Sequence, residues 1–582
     1  MTTLAHLSGH PATTAHGGRV ALFLDQLGHA ARGLWRSRLV LVFTFMLPLV
    51  WLVLIGLVAG DQIVDPATGV RTMQFVTPMA AVFGVVFATY PPVATSLALA
   101  REQHILKRLQ GTPTPVWIYL LGQMGAAMIL ATAALLVMLA VGVAAYGVQI
   151  EWRSVPASVV TLVVGIACLT SVGLAVGAVA PTAATAQAFT MASAVLMAFV
   201  SGLFRFGDAE PAWMAPVGAL FPMRNIADPL RAQFDPAGTG SGLEPAALAV
   251  LAAWGIGSVL VAAWALRHEP AGATAPGPRD RVPLGTPVAG ASIASMPVAA
   301  DGRPSALALV ADQARWAITG ARRNVSIVFF AIVMPVGLYA LICSMYPQDA
   351  PVHDMPLGVW FGAAMTAYGA GVIGFMHLPV NLAAARERGA LKRLRGTPVP
   401  AWTVLAGRTV EVLALTLVVA VLILVVGAVG FGVHVSAGAL PTAIAVLLFG
   451  TLCMTACGLA LVALVPTARA ASVLTMAILL PLSFVSDIFV VGNIPGPVQV
   501  FASVFPLKHV VAALAATMDP AGGSLAWTDL AVVAVWLAAA SVVALRRFRW
   551  EPDPAAAGSP AIGRGASAGT QRHRADTRIK AE

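Results

Sequence analysis

Charge is what this chain has least of. Of 582 residues, 10% are Asp, Glu, Lys or Arg, against 58% hydrophobic. So little polar surface cannot cover a soluble fold, which excludes that class. Lysine is scarcest: Lys107, Lys392, Lys508 and Lys580 are all there are, and none follows a glycine. A G-x-x-x-x-G-K-[ST] phosphate loop is therefore missing from the sequence. The four cysteines, Cys168, Cys343, Cys453 and Cys457, sit in apolar runs with no C-x-x-C and no acidic or histidine neighbours. They read as small buried apolar residues, not as metal ligands or redox centres. Ionisable groups are nearly missing from the middles of the apolar runs, which argues against a proton-coupled carrier.

What the chain has is length without charge. Uncharged runs cover residues 39–60, 72–100 and 109–150, each beyond the ~20 residues that cross ~30 Å of hydrocarbon. They are continuously apolar, without alternation at period two, so helices are expected and a β-barrel is not. Mean hydropathy is +0.84. The expected fold class is an all-α polytopic membrane protein. Residues ahead of Arg38 contain no apolar core of the signal-peptide kind, so cleavage there is not expected.

One stretch occurs twice. Arg101–Trp117 reads REQHILKRLQGTPTPVW and Arg386–Trp402 reads RERGALKRLRGTPVPAW, identical at 11 of 17 positions. Other pairs recur at nearly the same offset: Pro48 and Pro335, Pro181-Thr182 and Pro466-Thr467, Phe199-Val200-Ser201 and Phe484-Val485-Ser486. The spacing predicts twelve transmembrane helices as two tandem six-helix repeats, with interfacial amphipathic and re-entrant helices. The expected division is a disordered tail over 1–18, one transmembrane domain over 19–268, and a Pro/Gly/Ala-rich linker over 269–304. A second transmembrane domain follows over 305–550 and a disordered tail over 551–582.

Within the first repeat, an amphipathic helix over 19–38 precedes span 1 at 39–59. Span 2, about 75–100, carries Tyr90-Pro91-Pro92, where a kink or local unwinding is expected. Gly111 should end the duplicated segment's helix, with Thr112 capping and Pro113 opening span 3. Pro181-Thr182 marks the turn between spans 4 and 5. The mixed stretch 205–244 holds apolar pieces too short to cross, so re-entrant or interfacial helices are expected before span 6 at 245–266.

Basic residues sort to one side of this topology. The tails, linker, both duplicated loops and the span 10–11 turn hold 29 of the 35 Lys and Arg, and 12 of the 25 Asp and Glu. That side is expected to be cytoplasmic, with both termini on it. Topology accounts for the net charge of +10, and no nucleic-acid partner is implied.

The duplicated stretch is the candidate functional site. On a continuous helix, Glu102, Ile105, Leu106 and Leu109 share one stripe, and Arg101, His104 and Arg108 another. Glu387, Leu391 and Leu394 repeat the first stripe. A surface helix on anionic lipid needs only the basic residues. The acidic residue kept in both copies points instead to a docking element for a soluble partner.

The R-E-x-x-x-L-K-R-L-x-G-T-P pattern between spans 2 and 3 resembles the ABC-2-type permease family, the membrane subunits of ABC exporters. The amphipathic helix before span 1, the excursion before span 6, and the Phe199–Phe204 and Phe221-Pro222 segments are also similar to that family. The resemblance covers nearly the whole chain, twice. It implies an ATPase-coupling role for Arg101, Glu102, Leu106, Lys107, Arg108 and Leu109, and for Arg386, Glu387, Leu391, Lys392, Arg393 and Leu394. It also implies a separate ABC ATPase subunit in two copies, carrying ATP and Mg, with no cofactor or catalytic residue in this chain. The expected place is the plasma membrane, and the expected activity is export. The nearly uncharged interior predicts a lipophilic or amphipathic cargo.

Two competing readings are a proton-coupled twelve-span transporter and a lipid-linked glycosyltransferase using Asp61 and Asp65 of the first outer loop. His377, Glu411 and Asp487 are the ionisable groups within or beside spans. The sequence favours a hydrogen-bonded core for His377, a satisfied interfacial carboxylate for Glu411 and exposure at the outer rim for Asp487. Gln123 and Asn381 are expected to bridge helices.

Overall fold

The computed structural model describes residues 19–59, 63–65, 70–112, 115–203, 211–268, 305–322, 328–346, 351–396, 399–489 and 496–547. The linker over 269–304, the tail over 1–18 and the segment over 551–582 lie outside these residues, as do Asp61 and Asp349. Two short hairpins, Ile63–Asp65 with Val70–Arg71 and Pro351–Val352 with Met355–Pro356, are the β-structure of the described residues.

Nine described helices are long and apolar enough to cross a membrane, ten if the bent pair Gly496–Ala502 and Pro506–Met518 counts as one. Three more apolar helices, Thr44–Leu57, Phe329–Met345 and Ala470–Val485, fall where spans 1, 7 and 11 were expected but are shorter. The chain is a multi-pass membrane protein. The excursion before span 6 forms two short helices, Met214–Ala219 and Arg224–Gln233. Its counterpart in the second half bends by 96° between its two helices.

Spans 2 (Met73–Glu102) and 8 (Leu357–Glu387) are the centre, with 83% and 94% of their apolar windows buried; spans 6 (Pro245–Arg267) and 12 (Trp527–Arg547) are the rim, at 22% and 11%. A lipid-facing span needs no protein cover, so this contrast orders the bundle radially. The halves meet crosswise. Span 11 (Ala468–Val485) packs on span 1, and span 5 (Ala183–Val200) packs on span 7.

Proline shapes both first spans alike. A π-helical stretch, Val42–Met46, precedes Pro48, and another, Phe329–Val333, precedes Pro335. Each ring lacks an N–H and crowds the carbonyl four residues back, so the helix widens there. The expected break at Pro91-Pro92 is absent: span 2 stays α-helical from Met73 to Glu102 with both prolines inside. Pro91 leaves the Phe87 carbonyl without its helical donor, and the Thr44 hydroxyl of span 1 donates to it at 3.4 Å. A neighbouring span thus makes good what the proline removes. The same level of span 8 is π-helical instead, over Gly371–His377.

Span 3 starts later than expected, at Val116, with Pro115 as its cap residue. Thr112 does not cap it. Its hydroxyl donates to the Leu109 carbonyl at 2.7 Å and closes the preceding helix instead. The turn at Pro181-Thr182 is as expected: Thr182 accepts from Thr185 N and opens span 5.

Spans 2 and 4 (Val155–Val179) touch backbone to backbone. A Cβ on Gly173 would meet the Tyr90 carbonyl oxygen at 2.8 Å, and one on Gly177 the Ala94 carbonyl oxygen at 2.6 Å. Small residues one turn apart let helices approach this closely in a membrane. Gly177→Val should therefore force the pair apart, at about 1–3 kcal/mol. Thermal unfolding in detergent should shift down by several degrees. An unchanged midpoint would show that the contact is dispensable.

Candidate functional site

The duplicated segment is not one helix. Span 2 ends at Glu102, a turn follows at Gln103-His104, and a separate six-residue helix runs Ile105–Gln110. In the second copy span 8 ends at Glu387 and the short helix is Ala390–Arg395. The joint takes a left-handed residue each time, His104 at φ 55° and Gly389 at φ 68°. Glycine adopts that conformation freely, while histidine is one of the few other residues found there.

The break separates the twelve candidate residues into two groups. On the short helices Leu106 and Leu391 are buried, Leu109 and Leu394 half-buried, and Lys107, Arg108, Lys392 and Arg393 exposed. These are amphipathic elements with apolar residues inward and a basic outer face, in keeping with the sequence. Arg101 and Arg386 are not on that face, so the stripe joining Arg101 to Arg108 does not exist. Arg101 is half-buried and Arg386 is 4% exposed.

Arg101 and Glu102 instead reach the turn between spans 4 and 5. Arg101 Nη1 donates to the Gly177 and Ala180 carbonyls, both at 2.9 Å. Glu102 Oε1 accepts from Ala183 N at 2.9 Å. The second half repeats this. Arg386 donates to the Val462, Val465 and Pro466 carbonyls, the last at 3.2 Å. Glu387 Oε1 accepts from Ala468 N at 2.8 Å. A helix ends with unsatisfied carbonyls and begins with unsatisfied N–H groups. Here a guanidinium takes the carbonyl end of span 4 or of span 10 (Leu440–Leu464) and a carboxylate takes the N–H end of span 5 or 11, each beside the helix-dipole charge that favours it.

The halves differ in the next layer. Arg408 on span 9 (Ala401–Phe431) pairs with Glu411 at 3.0 Å, and Glu411 is 3% exposed while the Arg408 side chain is 42% exposed. Glu411 is thus satisfied, as expected, but buried. Asn381 lies 2.9 Å from His377 Nδ1 and bonds within its own helix rather than across helices. At the same 285-residue offset the first half has Gln123, Ala126, Ser96 and Pro92. There Ser96 donates to Gln123 Oε1 at 3.4 Å, a bridge between spans 2 and 3. A cavity of about 170 Å³ opens beside Arg408 in the second half, walled in part by Trp316, Ala390 and Val404. The first half has Ile105 and Tyr119 at the positions of Ala390 and Val404, whose bulk suits a filled site.

A second cavity, of about 60 Å³, lies between the halves. Phe83, Phe87 and Phe199 line it from one half, and Phe330, Tyr368 and Phe484 from the other. Four methionines complete much of the wall, and no lining residue carries a charge. Asp487, expected at an exposed rim, is 5% exposed. It sits on a left-handed turn at φ 59°, where the first half has Gly202 at φ 71°. The Trp360 indole donates to its carbonyl at 3.4 Å. Sequence reading missed this burial because a carboxylate after a span reads as a surface group.

Among the described residues no cluster of His, Cys, Asp and Glu could hold a metal ion. No curated protein matches the chain in sequence. The family described as ABC-2 type transporter has a sequence model that matches residues 29–234 and again 314–518. Each match takes in one copy of the duplicated segment, its Arg-Glu pair and the turn that the pair bonds to. The chain belongs to the ABC-2 type transporter family, with two of its membrane units in one polypeptide.

Proposed function

We propose that this chain is the permease of an ATP-driven exporter that moves a lipophilic or amphipathic compound outward across the plasma membrane. The observation that carries the reading is the cavity between the halves, with its rings, thioethers and uncharged wall. Charged solutes would lose hydration there with no partner, whereas apolar ones are favoured. At about 60 Å³ the cavity is far below the ~300–1,000 Å³ of small-molecule sites. Cargo therefore enters only when the halves part, and ATP supplies that work.

The full reading has twelve spans with both termini cytoplasmic, the three shorter apolar helices crossing as spans 1, 7 and 11. ATP and Mg belong to a separate ABC ATPase in two copies, docked on the short basic helices with their exposed Lys107, Arg108, Lys392 and Arg393. Membrane lipids surround the outer spans. Against a proton-coupled mechanism, His377 and Glu411 are each held by a neighbour within their own helix.

Inverted membrane vesicles containing the chain and its co-expressed ATPase subunit test this. A neutral lipophilic dye should accumulate with ATP, insensitive to a protonophore, and a small polyanion should not. Abolition by the protonophore with ATP held constant would favour the proton-coupled reading. Transport of the polyanion alone would refute the cargo class.

A further inference from the structure

The Arg-Glu pair at the end of spans 2 and 8 is what transmits the ATPase stroke to spans 4–5 and 10–11, we propose; it is a positioning clamp, not an ATPase contact. This rests on the reading of the chain as an ATP-driven permease.

Three observations carry it. First, the clamp is complete at both ends of each turn. Only Ala180, Pro181 and Thr182 separate span 4 from span 5. Thr182 satisfies Thr185 N from within the turn, Glu102 satisfies Ala183 N from outside it, and Arg101 takes the Gly177 and Ala180 carbonyls. Second, the geometry recurs in the other half at the same sequence separation. Each carboxylate reaches 81 residues ahead, and each guanidinium 76 and 79. The rest of the neighbourhood differs between halves, as Arg408 and Glu411 against Gln123 and Ala126 make plain. Third, the clamp sits one turn of chain before the short helices that carry the exposed basic face. Motion imposed on those helices enters span 2 or 8 through His104 or Gly389 and meets the clamp next.

The mechanical result follows from the hydrogen bonds. A flexible turn would let span 5 lag behind span 2. A turn gripped at its carbonyl end by a guanidinium and at its N–H end by a carboxylate moves with span 2. Charge-assisted bonds are the stronger kind and hold such a joint. Span 5 packs on span 7 and span 11 on span 1. Moving spans 5 and 11 with spans 2 and 8 therefore parts the halves and opens the cavity between them.

A docking carboxylate and a clamping carboxylate predict different variants. Glu102→Gln with Glu387→Gln keeps an oxygen that accepts from Ala183 and Ala468 N–H but removes the charge that an ATPase ion pair would need. Glu102→Ala with Glu387→Ala removes both. In the complete complex we expect both doubles to retain the ATPase subunit on co-purification. The Ala double should lose about tenfold in dye transported per ATP hydrolysed, and the Gln double, which keeps the acceptor but not its charge, a smaller factor of about threefold. Amide exchange at Ala183 and Ala468 should speed up most in the Ala double and less in the Gln double.

Unchanged exchange in the Ala double would overturn the clamp itself. Faster exchange with an unchanged transport-to-hydrolysis ratio would overturn transmission. Loss of the ATPase in both doubles would restore the docking role and overturn the proposal. Arg101→Lys with Arg386→Lys gives an independent reading if the Ala double does not accumulate. The lysine stem ends one bond short of the Nη1 that reaches both carbonyls in the first half, and its single nitrogen cannot replace the Nη1 and Nη2 contacts of Arg386, so uncoupling is again expected, and full coupling would count against the clamp. A wild-type complex that moves no dye with ATP identifies failure of the parent reading, and the transmission role falls with it.

Discussion

Reversing the outer face of both short helices should leave a folded permease that no longer holds the ATPase proposed to dock there. The variant is Lys107→Glu, Arg108→Glu, Lys392→Glu and Arg393→Glu. All four side chains are exposed, and exposed substitutions away from special features change stability by about 0.5 kcal/mol or less. Four reversals make an eight-unit change of charge on the proposed docking surface, and like charges across an interface cost several kcal/mol. ATPase co-purification should drop to background, with the thermal midpoint of the membrane chain near wild type. Basic residues also help set orientation across the membrane, so the four Gln substitutions serve as a companion. They alter orientation signals less, and they should weaken association without abolishing it. Retention of the ATPase by the fourfold Glu variant would remove the basic face from the interface.

The second large effect concerns stability. Arg408→Gln leaves Glu411, 3% exposed, without its partner. Removing one member of a fully buried pair costs about 3–5 kcal/mol. Arg408 is 42% exposed and solvent already screens part of the pair, so about 2 kcal/mol is expected. That is a large share of the stability of most folds, and accumulation in the membrane should fall sharply. Adding Glu411→Ala should restore it, because the double variant then carries the residues of the first half, Gln123 and Ala126. A double variant as depleted as the single one would mean that Glu411 has a role of its own. Normal accumulation of the single variant would mean that water satisfies the carboxylate.

The outline was legible because membrane burial writes long uncharged runs and because the chain repeats its own landmarks. Pro181-Thr182 was found as a turn from two residues, and the structure puts the start of span 5 beside it. The prolines were harder. Pro91 reads as a helix breaker, yet the helix continues, and the Phe87 carbonyl that it frees accepts from a hydroxyl 43 residues away in another span, which no local window contains. Arg101 and Glu102 stand out in the sequence, but a helical wheel does not show what they touch. A helical wheel assumes an unbroken helix, and the left-handed residue at position 104 ends that assumption. Glycine in the second copy, Gly389, was the available signal. Asp487 gave no such sign, because its burial depends on how a turn folds back against Trp360.

The Arg408–Glu411 pair also bears on how this transporter could have changed over time. In an assembly of two identical chains, any residue introduced into one wall appears in the other. A buried ion pair would then be desolvated twice, and each desolvation is expensive. With both units in one polypeptide, a single copy can be tried while the opposite wall keeps Gln123 and Ala126. Mutations reach one side at a time, and the two flanks of the permease are free to specialise.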